Sequence, residues 1–102
     1  IVDRVTAVII DMLPSGGVSD EKTAEQLNMS VRSLQRRLKE AGPTFRTLLE
    51  GARRDLAATY VQDPDIELVE VAFLLGFSDQ SAFSRAFKRW TGKSPSESRK
   101  DG

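Results

Sequence analysis

The chain has 102 residues, 39% of them hydrophobic, and its 15 acidic residues balance its 15 basic residues. Cysteine and histidine are absent, which removes the usual zinc ligands, thiol nucleophiles and imidazole bases, and no apolar run is long enough to span a bilayer. We therefore expect a small, soluble, cytoplasmic domain that is not an enzyme, binds neither a metal nor a cofactor, and does not enter a membrane.

Apolar residues at helical spacing predict three helices in the first part of the chain. In order, their apolar stripes contain Val5, Val8, Ile9 and Met12, then Ala24 and Leu27, then Val31, Leu34 and Leu38. Proline and glycine end the first helix at 14–17 and the third at 42–43. Ser19 or Asp20 can cap the second helix, and Ser30 can cap the third.

A longer fourth helix and three shorter ones follow. The fourth extends from Thr44 to Val61, about 18 residues and about 27 Å, and Asp63-Pro64 closes it. The stripes of the fifth and sixth are Ile66, Val69, Ala72 and Phe73, then Phe83, Phe87 and Trp90. A short seventh helix begins at Pro95. Helical spacing predicts a core position, not base stacking, for the aromatic residues of this half, Phe73, Phe77, Phe83, Phe87 and Trp90.

A helix-turn-helix pattern occurs twice, over Ala24–Leu38 and Val71–Phe87. In each copy a short apolar helix passes through a tight turn into a second helix rich in Gln, Ser and Arg, as in many DNA-binding domains. Asn28 and Gly76 stand at the turns, where the backbone requires the left-handed conformation that glycine adopts freely and asparagine more readily than most residues.

Charge is segregated along the chain although it sums to zero. Residues 30–46 contain five basic residues and one acidic residue, and residues 80–102 contain six and two, whereas residues 47–79 contain seven acidic and two basic residues. The basic segments coincide with the second helix of each repeat, so two local basic faces can hold polyanionic DNA. The sequence thus predicts an all-α fold of two helix-turn-helix subdomains, residues 1–42 and residues 64–102, joined by a linker helix, residues 43–63.

Three segments carry a family resemblance. Leu74–Ser96 resembles the signature of the AraC/XylS family of bacterial transcription regulators, Met29–Gly42 resembles that family's first recognition helix, and Arg53–Ala57 its connecting helix. Ser98 departs from the pattern, since the family often has an aromatic residue there, and we expect looser packing of the last helix. The resemblance implies that both recognition helices enter successive major-groove segments on one face of DNA.

The resemblance also assigns the contacts with DNA bases, whereas the helix starts and the basic residues beside them indicate the contacts with the DNA backbone. Residues at positions that face bases are Arg32, Gln35 and Arg36 in the first recognition helix and Gln80, Ser81 and Arg85 in the second. Arginine suits guanine O6 and N7, and glutamine suits adenine N6 and N7. Residues expected to contact the sugar-phosphate backbone are Ser30, Ser33, Lys39, Ser78, Ser84, Lys88 and Arg89.

These observations predict a sequence-specific transcription regulator that binds double-stranded DNA and acts as an activator. The alternative is a helical protein–protein interaction module that does not read bases. The start at Ile1 without Met, together with the resemblance, implies an upstream effector-binding or dimerisation domain in a longer protein, and a regulator must also meet RNA polymerase. We expect this segment itself to be monomeric, because its apolar stripes are used in its own core.

Overall fold

A computed structural model describes residues 1–101. This part of the chain forms seven α-helices and contains no β-strand. The helices are α1 (Val2–Met12), α2 (Asp20–Gln26), α3 (Val31–Ala41), α4 (Phe45–Gln62), α5 (Leu68–Leu74), α6 (Gln80–Thr91) and α7 (Pro95–Asp101), with a 3-10 turn at Leu13–Ser15. The predicted all-α fold and the order of its helices are confirmed. Among residues 1–101 no helix is both long enough and apolar enough to cross a membrane.

Side-chain caps fix where α2 and α3 begin, as the sequence predicts. The Ser19 hydroxyl accepts a hydrogen bond from the Lys22 amide at 3.1 Å, so Ser19 and not Asp20 caps α2. The Ser30 hydroxyl accepts from the Ser33 amide at 3.1 Å at the start of α3. Such a cap satisfies an amide that has no partner within the helix, and is worth about 1 kcal/mol.

The two helix-turn-helix units have the same turn geometry. Asn28 has a φ of 55° and Gly76 a φ of 80°, so both occupy the left-handed region. The amide after each turn residue, of Met29 in one and Phe77 in the other, donates to an alanine carbonyl five residues earlier at 3.0 Å. The repeat seen in the sequence is therefore a structural repeat, and the predicted turn residues are confirmed.

A continuous apolar core runs through both units, and α4 is its axis. Helix α4 packs against α1 on one side and against α5, α6 and α7 further along. The largest fully buried apolar side chains are Phe83, Ile9, Leu13, Leu34, Leu75, Val5, Val61 and Val71. The resulting domain is elongated, with principal extents of 44 × 24 × 19 Å.

The prediction that Phe73 lies in the core is wrong. Phe73 is 65% exposed, and Val69, one turn earlier on the same side of α5, is 55% exposed. Helix α5 carries two apolar stripes, and the one that faces the core contains Leu68, Val71 and Ala72, followed by Leu75 directly after the helix. The other four aromatic residues named above lie in the core or pack against it, with Phe83 and Phe87 buried.

The second turn is tied to the first half of the chain. The Arg53 guanidinium donates to the carbonyls of Leu75 and Gly76 at 2.9 and 3.3 Å, and it lies 4.7 Å from the centre of the Phe77 ring. A Cβ atom on Gly76 would lie 2.7 Å from the Leu13 carbonyl oxygen. The two units therefore form one packed body, which fixes the position of α6 relative to α1 and α4.

Polar contacts hold α7 in place. The Arg99 guanidinium donates to three carbonyls, that of Val61 in the last turn of α4 and those of Asp63 and Ile66 in the loop before α5, at 2.8, 3.1 and 2.7 Å. The Gln62 amide donates to both the carbonyl and the hydroxyl oxygen of Ser98, at 3.3 and 3.2 Å. Docking of α7 thus uses hydrogen bonds at the position where the family often has an aromatic side chain.

Candidate nucleic-acid interface

Helix α3 turns one face to the core and the opposite face to solvent. Its buried residues are Leu34 and Leu38. The solvent face carries Arg32, Gln35, Arg36 and Lys39, all exposed. Residues 32, 35, 36 and 39 are three or four apart in sequence, so their side chains lie on one face of the helix. Four of the residues predicted to meet DNA therefore share one surface.

Helix α6 repeats this arrangement. Phe83, Ala86 and Phe87 are buried, and the exposed face carries Gln80, Ser81, Arg85 and Lys88. Ser84 is half-buried at the edge of that face. In both helices a basic and amide-bearing surface lies directly opposite an apolar one, and the apolar contacts determine which way the polar surface points.

Most cations of these two faces keep their full charge available. Within residues 1–101 the ion pairs are Arg54 with Asp55, Arg89 with Glu50, and Lys93 with Asp101. Arg32, Arg36 and Arg85 are in none of them. The neutral Gln35 does have a partner: its side-chain amide donates to an Asp20 carboxylate oxygen at 3.2 Å. Gln35 has to exchange this exposed contact if it is to meet a base.

Three of the four serines predicted to contact the backbone lie at or near the helix starts. Ser30 is exposed, and its hydroxyl already accepts the Ser33 amide, while Ser33 itself is half-buried. Ser78 is exposed directly before Asp79, whose carboxylate caps α6 by accepting from the Ala82 amide at 2.7 Å. The remaining amides of both first turns point out of the helix starts, where a phosphate is favoured.

Arg89 is held by a carboxylate from α4. One Glu50 carboxylate oxygen accepts from the Arg89 guanidinium and from the Trp90 indole nitrogen, both at 2.9 Å. These hydrogen bonds, first from Trp90 and then from Arg89, lower the pKa of Glu50 from its ordinary value. Arg89 remains exposed, but its orientation is set by α4.

A cleft between α4 and α6 was not predicted from the sequence. It has a volume of about 170 Å³, and its polar lining consists of Arg46, Glu50, Arg53 and Arg89. Part of the cleft could have been found in the sequence, because residues 46, 50 and 53 have the spacing of one helix face. The residues of α6 that complete the cleft, Arg89 and Trp90, lie about forty positions after Glu50. Burial lowers the pKa of Arg53. Among residues 1–101 no cluster of acidic side chains could hold a metal ion.

Two basic residues near the end of the chain, Lys93 and Arg99, make contacts within the protein and not on the recognition faces. Arg99 is bound to the three carbonyls that hold α7. Lys93 pairs with Asp101, and that contact raises the pKa of Lys93. Neither residue lies on the exposed face of α3 or α6.

Comparison with known proteins gives consistent matches. A family model described as a helix-turn-helix domain matches residues 23–101. The transcriptional regulator VirS of Mycobacterium tuberculosis is 42% identical over 100 residues, which cover 98% of this chain and 29% of VirS. The transcriptional activator NphR of Rhodococcus is 33% identical over 98 residues, 96% of this chain and 29% of NphR. The chain thus spans less than a third of the length of these curated relatives.

A solved structure with DNA is among the matches. The DNA-binding domain of AdpA, a global transcriptional factor, in complex with a target DNA, superposes with a TM-score of 0.77 at 26% identity, covering 98% of this chain and 90% of that one. The fold and these matches define the protein as a DNA-binding domain with two helix-turn-helix units. The chain belongs to the AraC/XylS family of bacterial transcription regulators.

Proposed function

We propose that α3 and α6 enter two successive major-groove segments on one face of double-stranded DNA and that both helices read bases there. The observation that carries this proposal is the repeated unit: two helices of the same turn geometry, each with an exposed face of Arg, Gln and Ser opposite a buried apolar face. The long dimension of the domain, 44 Å, exceeds the roughly 34 Å of one turn of B-DNA.

The base contacts divide between the two helices. From α3 we propose Arg32, Gln35 and Arg36, and from α6 we propose Gln80, Ser81 and Arg85. Exposed guanidinium groups free of ion pairs suit the O6 and N7 acceptors of guanine, and exposed carboxamides suit adenine N6 and N7. Each good bidentate contact contributes about 1 to 3 kcal/mol of discrimination between bases.

A second set of residues is proposed to position the domain on the sugar-phosphate backbone without reading sequence. These residues are Ser30, Ser33, Lys39, Ser78, Ser84, Lys88 and Arg89. Ser30 and Ser78 lie at the starts of the recognition helices, whose amides favour phosphate, and Ser33 and Ser84 are half-buried within those helices. The cations border the base-reading faces. Here residues 1–42 and 64–102 act as the two reading units, and residues 43–63 act as the link between them.

For the whole protein we propose a transcription activator that works in the bacterial cytoplasm, where the DNA is, and contacts RNA polymerase. NphR, a relative at 33% identity, is itself described as a transcriptional activator. The curated relatives are more than three times as long as this chain, which supports an additional effector-binding or dimerisation domain in the full-length protein. We propose that the DNA-binding segment alone is monomeric.

The alternative function is a helical protein–protein interaction module. The observation that favours it is the exposed apolar pair on α5, Val69 and Phe73, because exposed apolar side chains in a cluster are typical of contact surfaces. This alternative leaves the two polar faces of α3 and α6 without a role. Both functions are compatible, since α5 and the recognition faces are different surfaces.

Selection of bound sequences from a random duplex library, at near-physiological salt, tests the proposal directly. With the purified domain we expect enrichment of two short motifs about one helical turn apart. Enrichment of one motif only would overturn base reading by both helices. Absence of any DNA binding would favour the interaction module.

A further inference from the structure

The cleft between α4 and α6 contains three arginines around a single carboxylate. Arg46, Glu50 and Arg53 line it from α4, and Arg89 and Trp90 line it from α6. Residues 46, 50 and 53 lie on one face of α4 because they are four and seven positions apart. The cleft therefore has an excess of positive charge, in a domain whose formal net charge is zero.

Two of the three arginines already have partners. Arg53 is half-buried and donates to the carbonyls of Leu75 and Gly76, so its task is structural. Arg89 donates to Glu50. Arg46 is exposed and, within residues 1–101, takes part in no ion pair. The cleft thus presents one guanidinium that is attracted by Glu50 but not paired with it, beside a second that Glu50 holds in a fixed orientation.

Arg46 borders both recognition helices. It lines the cleft against α6, and it also lines a second groove, together with Gln35 and Lys39 of α3. It is the residue that these two grooves have in common. Arg46 therefore lies between the surface on which α3 presents its polar side chains and the side of α6 that carries Arg89.

We propose that Arg46, with Arg89 beside it, binds a phosphate of the DNA backbone between the two major-groove segments. This inference rests on the proposed function. Two major-groove segments on one face of a duplex are separated by a minor groove bordered by a phosphate on each side, so the middle of the domain meets backbone. A guanidinium matches phosphate with two parallel hydrogen bonds. Glu50 acts as a positioning residue that keeps Arg89 beside this site.

The Arg46→Ala variant tests the proposal on the DNA sequence selected by the wild-type domain. We expect about a tenfold rise in Kd at about 0.15 M salt and a decrease of about 0.9 in the slope of log affinity against log salt. The selected base preferences should stay unchanged, because a phosphate contact carries no sequence information. Arg46→Lys should restore most of the salt slope, since it keeps the charge.

Arg54→Ala is the matched control, because it removes the same charge from the same helix. Arg54 is exposed and lies eight residues from Arg46, about 80° around the helix and about 12 Å further along it. The Arg54→Ala variant should keep both the affinity and the salt slope at wild-type values. Circular dichroism of each variant verifies that the fold is retained.

Neutral methylphosphonate linkages in the DNA identify the phosphate. Placed between the two motifs, they should weaken binding of the wild-type domain but leave binding of Arg46→Ala almost unaffected. Equal weakening of both proteins, or an unchanged salt slope in Arg46→Ala, would overturn this inference while leaving the two-helix proposal intact. If the wild-type domain selects no bipartite sequence, the proposed function itself fails, and the site fails with it.

Discussion

At Gly76 the backbone of the second turn passes directly against the carbonyl of Leu13. A Cβ atom there would lie 2.7 Å from that oxygen, and the φ of 80° is unfavourable for any side chain. Asn28 occupies the equivalent place in the first turn with a φ of 55°. The first turn therefore tolerates a side chain, whereas the second requires glycine for its conformation and for its close packing.

Gly76→Ala should lower the free energy of unfolding by about 2 to 4 kcal/mol, because left-handed strain adds to a backbone clash. Gly16→Ala is the matched control: Gly16 has a φ of 75° and no atom within 4 Å of the added Cβ. The control should lose only about 1 to 2 kcal/mol, from strain alone. Urea denaturation measures both values, and equal losses would contradict the packing argument.

Arg36 and Arg85 are the residues at which base reading can be tested singly. Arg36→Ala and Arg85→Ala should each cost about 1 to 3 kcal/mol of specific binding and relax the preference at one base pair. Arg37→Ala removes the same charge from α3, but Arg37 lies about 100° around the helix from Arg36. It should cost much less and change no base preference. Binding measured against single-base variants of the selected site distinguishes these outcomes, and equal effects of Arg36→Ala and Arg37→Ala would refute the assignment.

At the scale of elements, local chemistry made the helices predictable. Ser19, Ser30 and Asp79 are side chains that cap helices, and Asn28 and Gly76 are residues that permit a positive φ, so the boundaries at these five residues are encoded within a few positions. Contacts between distant elements were not encoded in this way. The Glu50 contacts with Arg89 and Trp90 join residues about forty positions apart, and no sequence periodicity signals them.

Helix α5 shows why its buried face was only partly predictable. It carries two apolar stripes, and tertiary packing alone decides which one is covered. Val71→Ala should lower the free energy of unfolding by about 2 kcal/mol, because Val71 is fully buried. Val69→Ala, the same change on the exposed stripe of the same helix, should stay within about 0.5 kcal/mol. A large loss in Val69→Ala, seen by thermal or urea unfolding, would contradict this placement of α5.

The contact between α4 and α6 through Glu50 should respond to pH. Its hydrogen bonds hold the pKa of Glu50 below the ordinary value of 4.5, so the carboxylate stabilises the folded state above that pH. The contribution is lost as the pH falls through the lowered pKa of the folded state. The difference in melting temperature between the wild type and Glu50→Gln should therefore be constant near neutral pH and shrink below about pH 4.5. A difference that does not change with pH would show that the charge of Glu50 has no part in this contact.

At the scale of the whole molecule, the sequence repeat predicted two helix-turn-helix units, and the structure packs them around α4 as one elongated body. The residues proposed to read bases could be named from the sequence because the family resemblance assigns their positions on the two recognition helices. The role proposed for Arg46 could not be predicted from the sequence, because Arg46 lies between two surfaces that only the folded chain brings together. A rigid body of this kind fixes the separation of its two recognition helices.

Insertion of five base pairs between the two selected motifs tests this central claim most directly. Half a turn of DNA moves one motif to the opposite face of the duplex, so a domain that reads both motifs at once must lose one of them. We expect the affinity to fall to that of a site with a single motif. Full affinity for the DNA with the insertion would contradict simultaneous reading by α3 and α6 on one face of DNA.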